Sequence, residues 1–193
     1  MRIDQLKILN FKKFSDFTLD LHPQLTLIVG NNGSGKTSLL NALTIAASVW
    51  LVEPPDTTLR NSRRNILGNE IHLEAIQRHG VTQFVEHKPV KVTAIGQIGD
   101  QQVEWTRQIK KQGSRTSNNE SKAALALIVD LFEQDQVGQN IWLPITAYYS
   151  AGRLWISSNK ASQKDKHKLS RRWFAFDDCF EGRIRPAYLQ DWF

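Results

Sequence analysis

Residues 30–37 read GNNGSGKT, and this stretch decides the fold. It fits the pattern G-x-x-x-x-G-K-[ST] at every fixed position. The glycines let the backbone turn tightly and aim successive N–H groups at phosphate oxygens. The apolar run 25–29 (LTLIV) precedes the loop, and apolar residues at helical spacing follow it over 38–51. A buried strand, a glycine-rich loop and a helix in this order predict a P-loop in an α/β protein.

The chemistry of nucleotide binding gives individual loop residues their expected roles. We expect Lys36, the candidate catalytic residue, to reach the β- and γ-phosphates of ATP, and the Thr37 hydroxyl to be a ligand of Mg²⁺. The helix that begins near Lys36 adds its positive N-terminal end. The predicted nucleotide-binding set in this stretch is Gly30, Asn31, Asn32, Gly33, Ser34, Gly35, Lys36, Thr37 and Ser38.

Composition narrows the protein class. The chain has 193 residues, a net charge of +6 and one cysteine, Cys179. One cysteine excludes an intramolecular disulfide framework and a Cys-based zinc site, and it favours a reducing compartment. The start shows no signal peptide, and the longest apolar stretch, 39–52, is too short and too polar to span a bilayer. We therefore expect a soluble, cytoplasmic protein with no membrane partner, whose charge permits DNA or RNA contact without requiring it.

Periodicity predicts most of the remaining elements. Residues 3–10 and 17–21 alternate apolar and polar as an antiparallel hairpin does, and 90–98 with 102–109 predict a second hairpin around Gly99-Asp100. The patterns also predict helices over 71–78 and 121–134, a strand over 141–149, polar loops over 56–70, 113–119 and 156–172, and an aromatic-rich, partly helical tail over 173–193. The basic loop 156–172 could track a nucleic-acid backbone or simply be solvated.

Two segments together resemble a known group of ATPases. LKILNFKKF (6–14), followed by GNNGSGKTSLLNAL (30–43), resembles the N-terminal lobe of RecF, the SMC proteins and the OLD-type ATPases. The resemblance covers residues 1–52. It implies an ABC-type lobe with a mixed sheet, an N-terminal antiparallel hairpin and flanking helices, and a homodimer or higher oligomer in which two copies sandwich two ATP molecules. It also implies that Lys12 and Lys13 lie near the nucleotide, the alternative being that they are solvated hairpin charges.

A second, shorter similarity concerns the later part of the chain. LPITAYYSAGRLW (143–155) and YLQDWF (188–193) resemble PtuA-like and retron-associated ATPases found beside anti-phage effectors. This similarity implies an effector nuclease as a partner. The first resemblance implies either DNA repair or anti-phage defence, and the second similarity favours defence.

The motifs that would complete an ABC ATPase are not recognisable in the sequence. An LSGGQ-like signature is absent, as is a strand ending in Asp-Glu. LALIVD (125–130) has helical flanks, and WFAFDD (173–178) is too aromatic for a buried parallel strand. Residues 1–193 therefore read as one incomplete nucleotide-binding lobe that hydrolyses ATP only if those motifs are supplied from outside. The alternatives are a small-molecule kinase and a nucleotide-sensing scaffold that does not hydrolyse. His72, His79 and His87 lack metal-ligand spacing.

Overall fold

The computed structural model describes residues 1–78, 80–150 and 171–180. Its strands and helices, in chain order, are β1 (Arg2–Phe11), β2 (Phe14–Asp20), α1 (Lys36–Ala47), β3 (His72–Arg78), β4 (Val81–His87), β5 (Val90–Ile98), β6 (Gln101–Ile109), β7 (Thr116–Glu120), α2 (Lys122–Gln136) and α3 (Arg171–Phe174). Short 3-10 turns occupy Ser48–Leu51, Thr57–Ser62 and Gly68–Glu70.

A five-stranded sheet in the order β2-β1-β5-β6-β7 forms the framework. Both predicted hairpins are confirmed: β1 pairs with β2, and β5 pairs with β6 around Gly99-Asp100. The α/β class is also confirmed, and every strand pair in the described ranges is antiparallel. A bulge in β1 brings its backbone so close to β5 that a Cβ on Gly96 would lie 2.0 Å from the Arg2 carbonyl oxygen. Glycine is therefore required where these strands meet.

Two helices pack on the sheet, as predicted. Leucine, isoleucine and alanine side chains of α1 and β1 meet in the core, and α2 adds Ile128 and Phe132. The Trp50 ring lies 5.1 Å from that of Phe132 and 6.0 Å from that of Phe176, measured between ring centroids. The predicted helix 38–51 is α-helical to Ala47 and continues as the 3-10 turn Ser48–Leu51. LALIVD lies inside α2, so its helical interpretation is confirmed.

The prediction of a helix over 71–78 is wrong. His72–Arg78 is strand β3, which pairs with β4 from His72↔His87 to Arg78↔Val81. Its Glu, Ala, Gln and Arg residues are good helix formers, but intrinsic propensity is worth less than about 1 kcal/mol per residue, and pairing with the facing strand β4 outweighs it.

The predicted polar loops also carry more structure than expected. Thr116–Glu120 forms β7, because the free edge of β6 offers backbone partners to a sequence whose own strand preference is low. Residues 56–70 are not an exposed loop throughout, since they bury Leu59, Ile66 and Glu70.

The two remaining predicted strands, 25–29 and 141–149, are wrong as well. Both segments lie outside every strand ladder of the described residues. Leu27 and Val29 are each 81% exposed, and Ile145 is fully exposed. Apolar composition can suggest a buried strand, but burial also needs a neighbouring strand, and the described part of the chain supplies none here.

The end of the chain is described only in part. Arg171–Phe174 is a short helix followed by turns to Phe180, so WFAFDD is not a strand. Residues 151–170 and 181–193 lie outside the described ranges, and so does His79. Most of the predicted basic loop 156–172 and of the predicted tail 173–193 falls in these ranges. No helix in the described ranges is long and apolar enough to cross a membrane.

Candidate nucleotide-binding site

The phosphate-binding motif lies at the N-terminus of α1. Gly35 is the N-cap residue and has φ +103°, a left-handed conformation that glycine adopts without strain. The Leu39 N–H donates to the Gly35 carbonyl oxygen at 2.9 Å, so the amides of residues 36–38 precede the first full turn and have no helical acceptor. No acidic side chain occupies that turn. Its free amides and positive helix end can therefore receive an anion.

The Lys36 side chain reaches back to the first two residues of the loop. Its ammonium donates to the carbonyl oxygens of Gly30 (2.5 Å) and Asn31 (2.8 Å). Thr37 and the asparagines of the loop are exposed, so a ligand can reach them from solvent. Phosphate oxygens would be stronger acceptors for the ammonium than these neutral carbonyls, because a charged acceptor shortens and strengthens the hydrogen bond.

The β1–β2 turn packs directly on this loop. Lys13 Nζ donates to the Gly33 carbonyl oxygen at 2.9 Å. A Cβ on Gly35 would lie 2.7 Å from both Lys13 Cδ and Phe14 Cζ. Gly35 is thus needed for its conformation and for this close approach, and two ammonium groups, those of Lys13 and Lys36, contact the loop backbone.

Lys12 points to a different partner. Its Nζ lies 3.1 Å from Glu70 Oε1, and the Arg64 guanidinium lies 2.5 Å from the same oxygen. The Leu67 N–H donates to Glu70 Oε2 at 3.0 Å. The structure therefore brings Lys13 to the loop and Lys12 to a carboxylate that is only 2% exposed. Sequence reasoning missed Glu70, because nothing distinguishes it from the other polar residues of 56–70.

Two histidines lie beside this turn. His72 Nδ1 donates to the Lys12 carbonyl oxygen at 2.6 Å, and its ring centroid is 5.8 Å from that of His87. His87 Nε2 lies 2.8 Å from Glu74 Oε2. Within the described ranges, no three histidine, cysteine or acidic residues are arranged to hold a metal ion.

The far end of α1 is fixed to the sheet by Arg107, which is fully buried. Its guanidinium donates to the Ile45 carbonyl oxygen (3.1 Å) and to the side-chain oxygens of Asn65 (2.6 Å) and Asn118 (3.0 Å). Burial, followed by the charges of two neighbouring arginines, lowers the pKa of Arg107 to about 9. The group therefore stays cationic at neutral pH, where the negative end of the helix favours a positive charge.

Comparisons with known proteins find a matching family and several relatives. A family model described as "AAA domain" matches residues 5–185. The DNA replication and repair protein RecF of Staphylococcus carnosus is 31% identical over 96 residues, 48% of this chain and 25% of that protein. RecF of Colwellia psychrerythraea is 51% identical over 43 residues, 22% of this chain and 11% of that protein.

A relative with another name shares part of the chain. The DNA double-strand break repair Rad50 ATPase of Halobacterium salinarum is 42% identical over 62 residues, 32% of this chain. The matched part is 7% of that protein. The chain thus spans about a quarter or less of the length of these relatives.

Proposed function

The chain belongs to the AAA domain family, and from that premise we propose that it binds ATP·Mg²⁺ and acts as a nucleotide-driven switch on DNA or on a partner protein. It is an ATP-binding lobe of the RecF/SMC type. Hydrolysis, the partner and the assembly of the whole protein are the parts that we propose.

One observation carries the proposal. At loop 30–37, the free amides of the first turn of α1 lie beside two ammonium groups, those of Lys13 and Lys36. Each ammonium group donates to a backbone carbonyl oxygen of the loop. Carbonyls are weak acceptors for a cation compared with phosphate, so a polyphosphate would gain these contacts at little cost. Lys36 would hold the β- and γ-phosphates, Lys13 would approach from the turn, and Thr37 would be a ligand of Mg²⁺.

Two segments with exposed apolar side chains suggest that the nucleotide-binding unit is larger than the described residues. Residues 25–29 and 141–149 carry apolar side chains that the described part of the chain leaves in water, among them Leu27 and Ile145. Apolar patches of this kind mark interaction surfaces. We propose that an additional ATPase segment covers them and contributes the signature motif and the acidic catalytic strand, and that two such units sandwich two ATP molecules.

DNA repair is the proposed process, because the relatives carry DNA repair names. Anti-phage defence with an effector nuclease is the alternative setting for the same switch, and it depends on the similarity of 143–155 and 188–193 to defence ATPases. DNA would contact the positively charged protein through its phosphates, which makes binding weaken steeply with salt.

A nucleotide sensor that does not hydrolyse is the second candidate function. Two segments end in aspartate, as a catalytic strand would: LALIVD (125–130) and WFAFDD (173–178). The first lies in α2 and the second in and after α3, so neither is a strand. This placement favours a module that binds nucleotide without supplying the base for hydrolysis. Phosphate release from ATP by this chain alone, lost in Lys36→Ala, would rule out the sensor.

Equilibrium binding of a fluorescent ATP analogue with Mg²⁺ tests the proposed site. Lys36→Ala should weaken binding at least about tenfold, because it removes a charge-assisted contact to the phosphates. Lys111→Ala, an exposed lysine in the β6–β7 loop, is the matched control and should change nothing. Equal affinity of the Lys36→Ala variant and the native protein would contradict the proposal. Thr37→Ala should remove the Mg²⁺ dependence of binding.

A further inference from the structure

We propose that Glu70 is a positioning residue of the nucleotide site: with His72 it fixes the backbone of Lys12 and thereby holds Lys13 on the phosphate loop. This inference rests on the proposed ATP-binding function. Glu70 lies outside the motif and outside the β1–β2 hairpin, so it would act on the nucleotide only through the turn.

The conformation of Lys12 needs such support. Lys12 and Lys13 are the two residues that link β1 to β2, with Phe11 paired to Phe14 across the turn. Lys12 has φ +50°, in the region that favours glycine at the first central position of a two-residue hairpin. A lysine there is strained, and such strain persists only when surrounding contacts over-determine the backbone.

Residues 70–72 supply those contacts from one side. The Lys12 N–H donates to the Glu70 carbonyl oxygen at 2.6 Å, and the Lys12 carbonyl oxygen accepts from His72 Nδ1 at 2.6 Å. An isolated bridge between Phe11 and Ile71 lies between these bonds. Both backbone polar groups of the strained residue are thus engaged by one short segment.

The Glu70 carboxylate anchors that segment. It is only 2% exposed, and it contacts the Lys12 ammonium, the Arg64 guanidinium and the Leu67 N–H. A buried carboxylate is retained only when opposite charges and hydrogen bonds compensate its desolvation, and here it receives both. Removing its charge would release Lys12 and free the turn to relax.

Relaxation of the turn at Lys12 would affect the nucleotide through Lys13. Lys13 follows Lys12 directly, and its ammonium donates to the Gly33 carbonyl oxygen of the loop. A turn that leaves the left-handed conformation redirects the Lys13 side chain. Glu70 and Lys13 should therefore act as one unit toward ATP, although no contact between them is needed.

A double-mutant cycle on the full chain tests this coupling. The affinity for the fluorescent ATP analogue is measured for the native protein, Glu70→Gln, Lys13→Ala and the double variant. Glu70→Gln alone should weaken binding roughly fivefold, whereas in the Lys13→Ala background it should change binding by less than about twofold. Folding is checked by circular dichroism, and His72→Ala, which removes the other side of the contact, repeats the cycle if Glu70→Gln fails to fold.

Asp135→Asn is the matched control for a general loss of stability. The Asp135 carboxylate is also largely buried and bonded, receiving the Trp173 indole N–H at 2.6 Å and the Arg172 guanidinium, but it lies on α2. The substitution should lower the unfolding temperature and leave ATP affinity unchanged. A Glu70→Gln effect that is equally large with and without Lys13, or absent altogether, would overturn the inference. Unchanged binding in Lys36→Ala would instead contradict the nucleotide site itself.

Discussion

The β-sheet and the segment that leads into the phosphate loop differ in how they are supported. In the sheet, Leu6, Val92 and Trp105 are fully buried under α1 and α2. In 25–29, which follows the sheet's first hairpin in sequence, Leu27 and Val29 are mostly in water. The loop itself is held by α1 on one side and by the β1–β2 turn on the other. The apolar core is thus concentrated in the sheet, while loop 30–37 remains largely exposed to solvent.

Replacing a buried tryptophan of the sheet and an exposed tryptophan of segment 141–149 gives the largest contrast. Trp105→Ala should lower the free energy of unfolding by about 3–5 kcal/mol, because it leaves a large cavity and removes the indole bond to the Ala46 carbonyl oxygen. Trp142→Ala, at a side chain that is 95% exposed, should change it by less than about 0.5 kcal/mol. Urea denaturation measures both. Similar losses for the two variants would show that 141–149 is as well packed as the sheet.

The attachment of α1 to the sheet depends on Arg107. Arg107→Met should cost about 3 kcal/mol, because several buried acceptors, including Asn65 and Asn118, lose their donor. Arg115→Met, at an exposed arginine, is the control and should be nearly neutral. The same denaturation experiment reports both values, and a neutral Arg107→Met would mean that the α1 anchor contributes nothing to stability.

The same valine-to-threonine substitution, made once in the sheet and once in 25–29, compares the two regions while leaving the side-chain volume almost unchanged. Val92→Thr places a hydroxyl in the core of β5 and should cost about 1–2 kcal/mol. Val29→Thr places the same hydroxyl in water and should be neutral within about 0.5 kcal/mol. A destabilising Val29→Thr would indicate that 25–29 is buried in solution and that the two regions are supported alike.

The last contrast concerns the reactivity of Cys179, which lies in a third region, and not the free energy of unfolding. Burial, as the main cause, raises the pKa of its thiol to about 12. Since the thiolate is the reactive form, a disulfide reagent at pH 8 should modify Cys179 at least about a hundredfold more slowly in the native protein than in urea. Equal rates in the two conditions would show that the Cys179 thiol is not buried in the native protein.

Sequence reasoning succeeded where the signal is local. The turn at Gly99-Asp100 lies between two period-two runs, so β5 and β6 could be predicted from adjacent residues. The motif 30–37 and the helix after it follow from the chemistry of phosphate binding. The family resemblance implies that Lys12 and Lys13 lie near the nucleotide; this stays a prediction, and the structure shows that the Lys13 ammonium contacts the Gly33 carbonyl oxygen.

Predictions from sequence failed where a segment distant in the chain determines the local structure. β3 is a strand because β4 faces it, and β7 is a strand because β6 offers an edge. Residues 25–29 look like a buried strand in sequence, yet they pair with no strand within the described ranges. Glu70 was missed for a related reason: its importance comes from Lys12, which lies far away in the chain and carries the strained turn.

Amide hydrogen exchange with and without ATP·Mg²⁺ tests the central claim most directly, because it locates the ligand on the chain. We expect ATP to slow exchange over residues 33–38 and to leave β5 and β6 unchanged, and we expect Lys36→Ala to abolish the slowing. Binding of ATP with no change over 33–38, or with protection only elsewhere, would contradict the assignment of this loop as the nucleotide site.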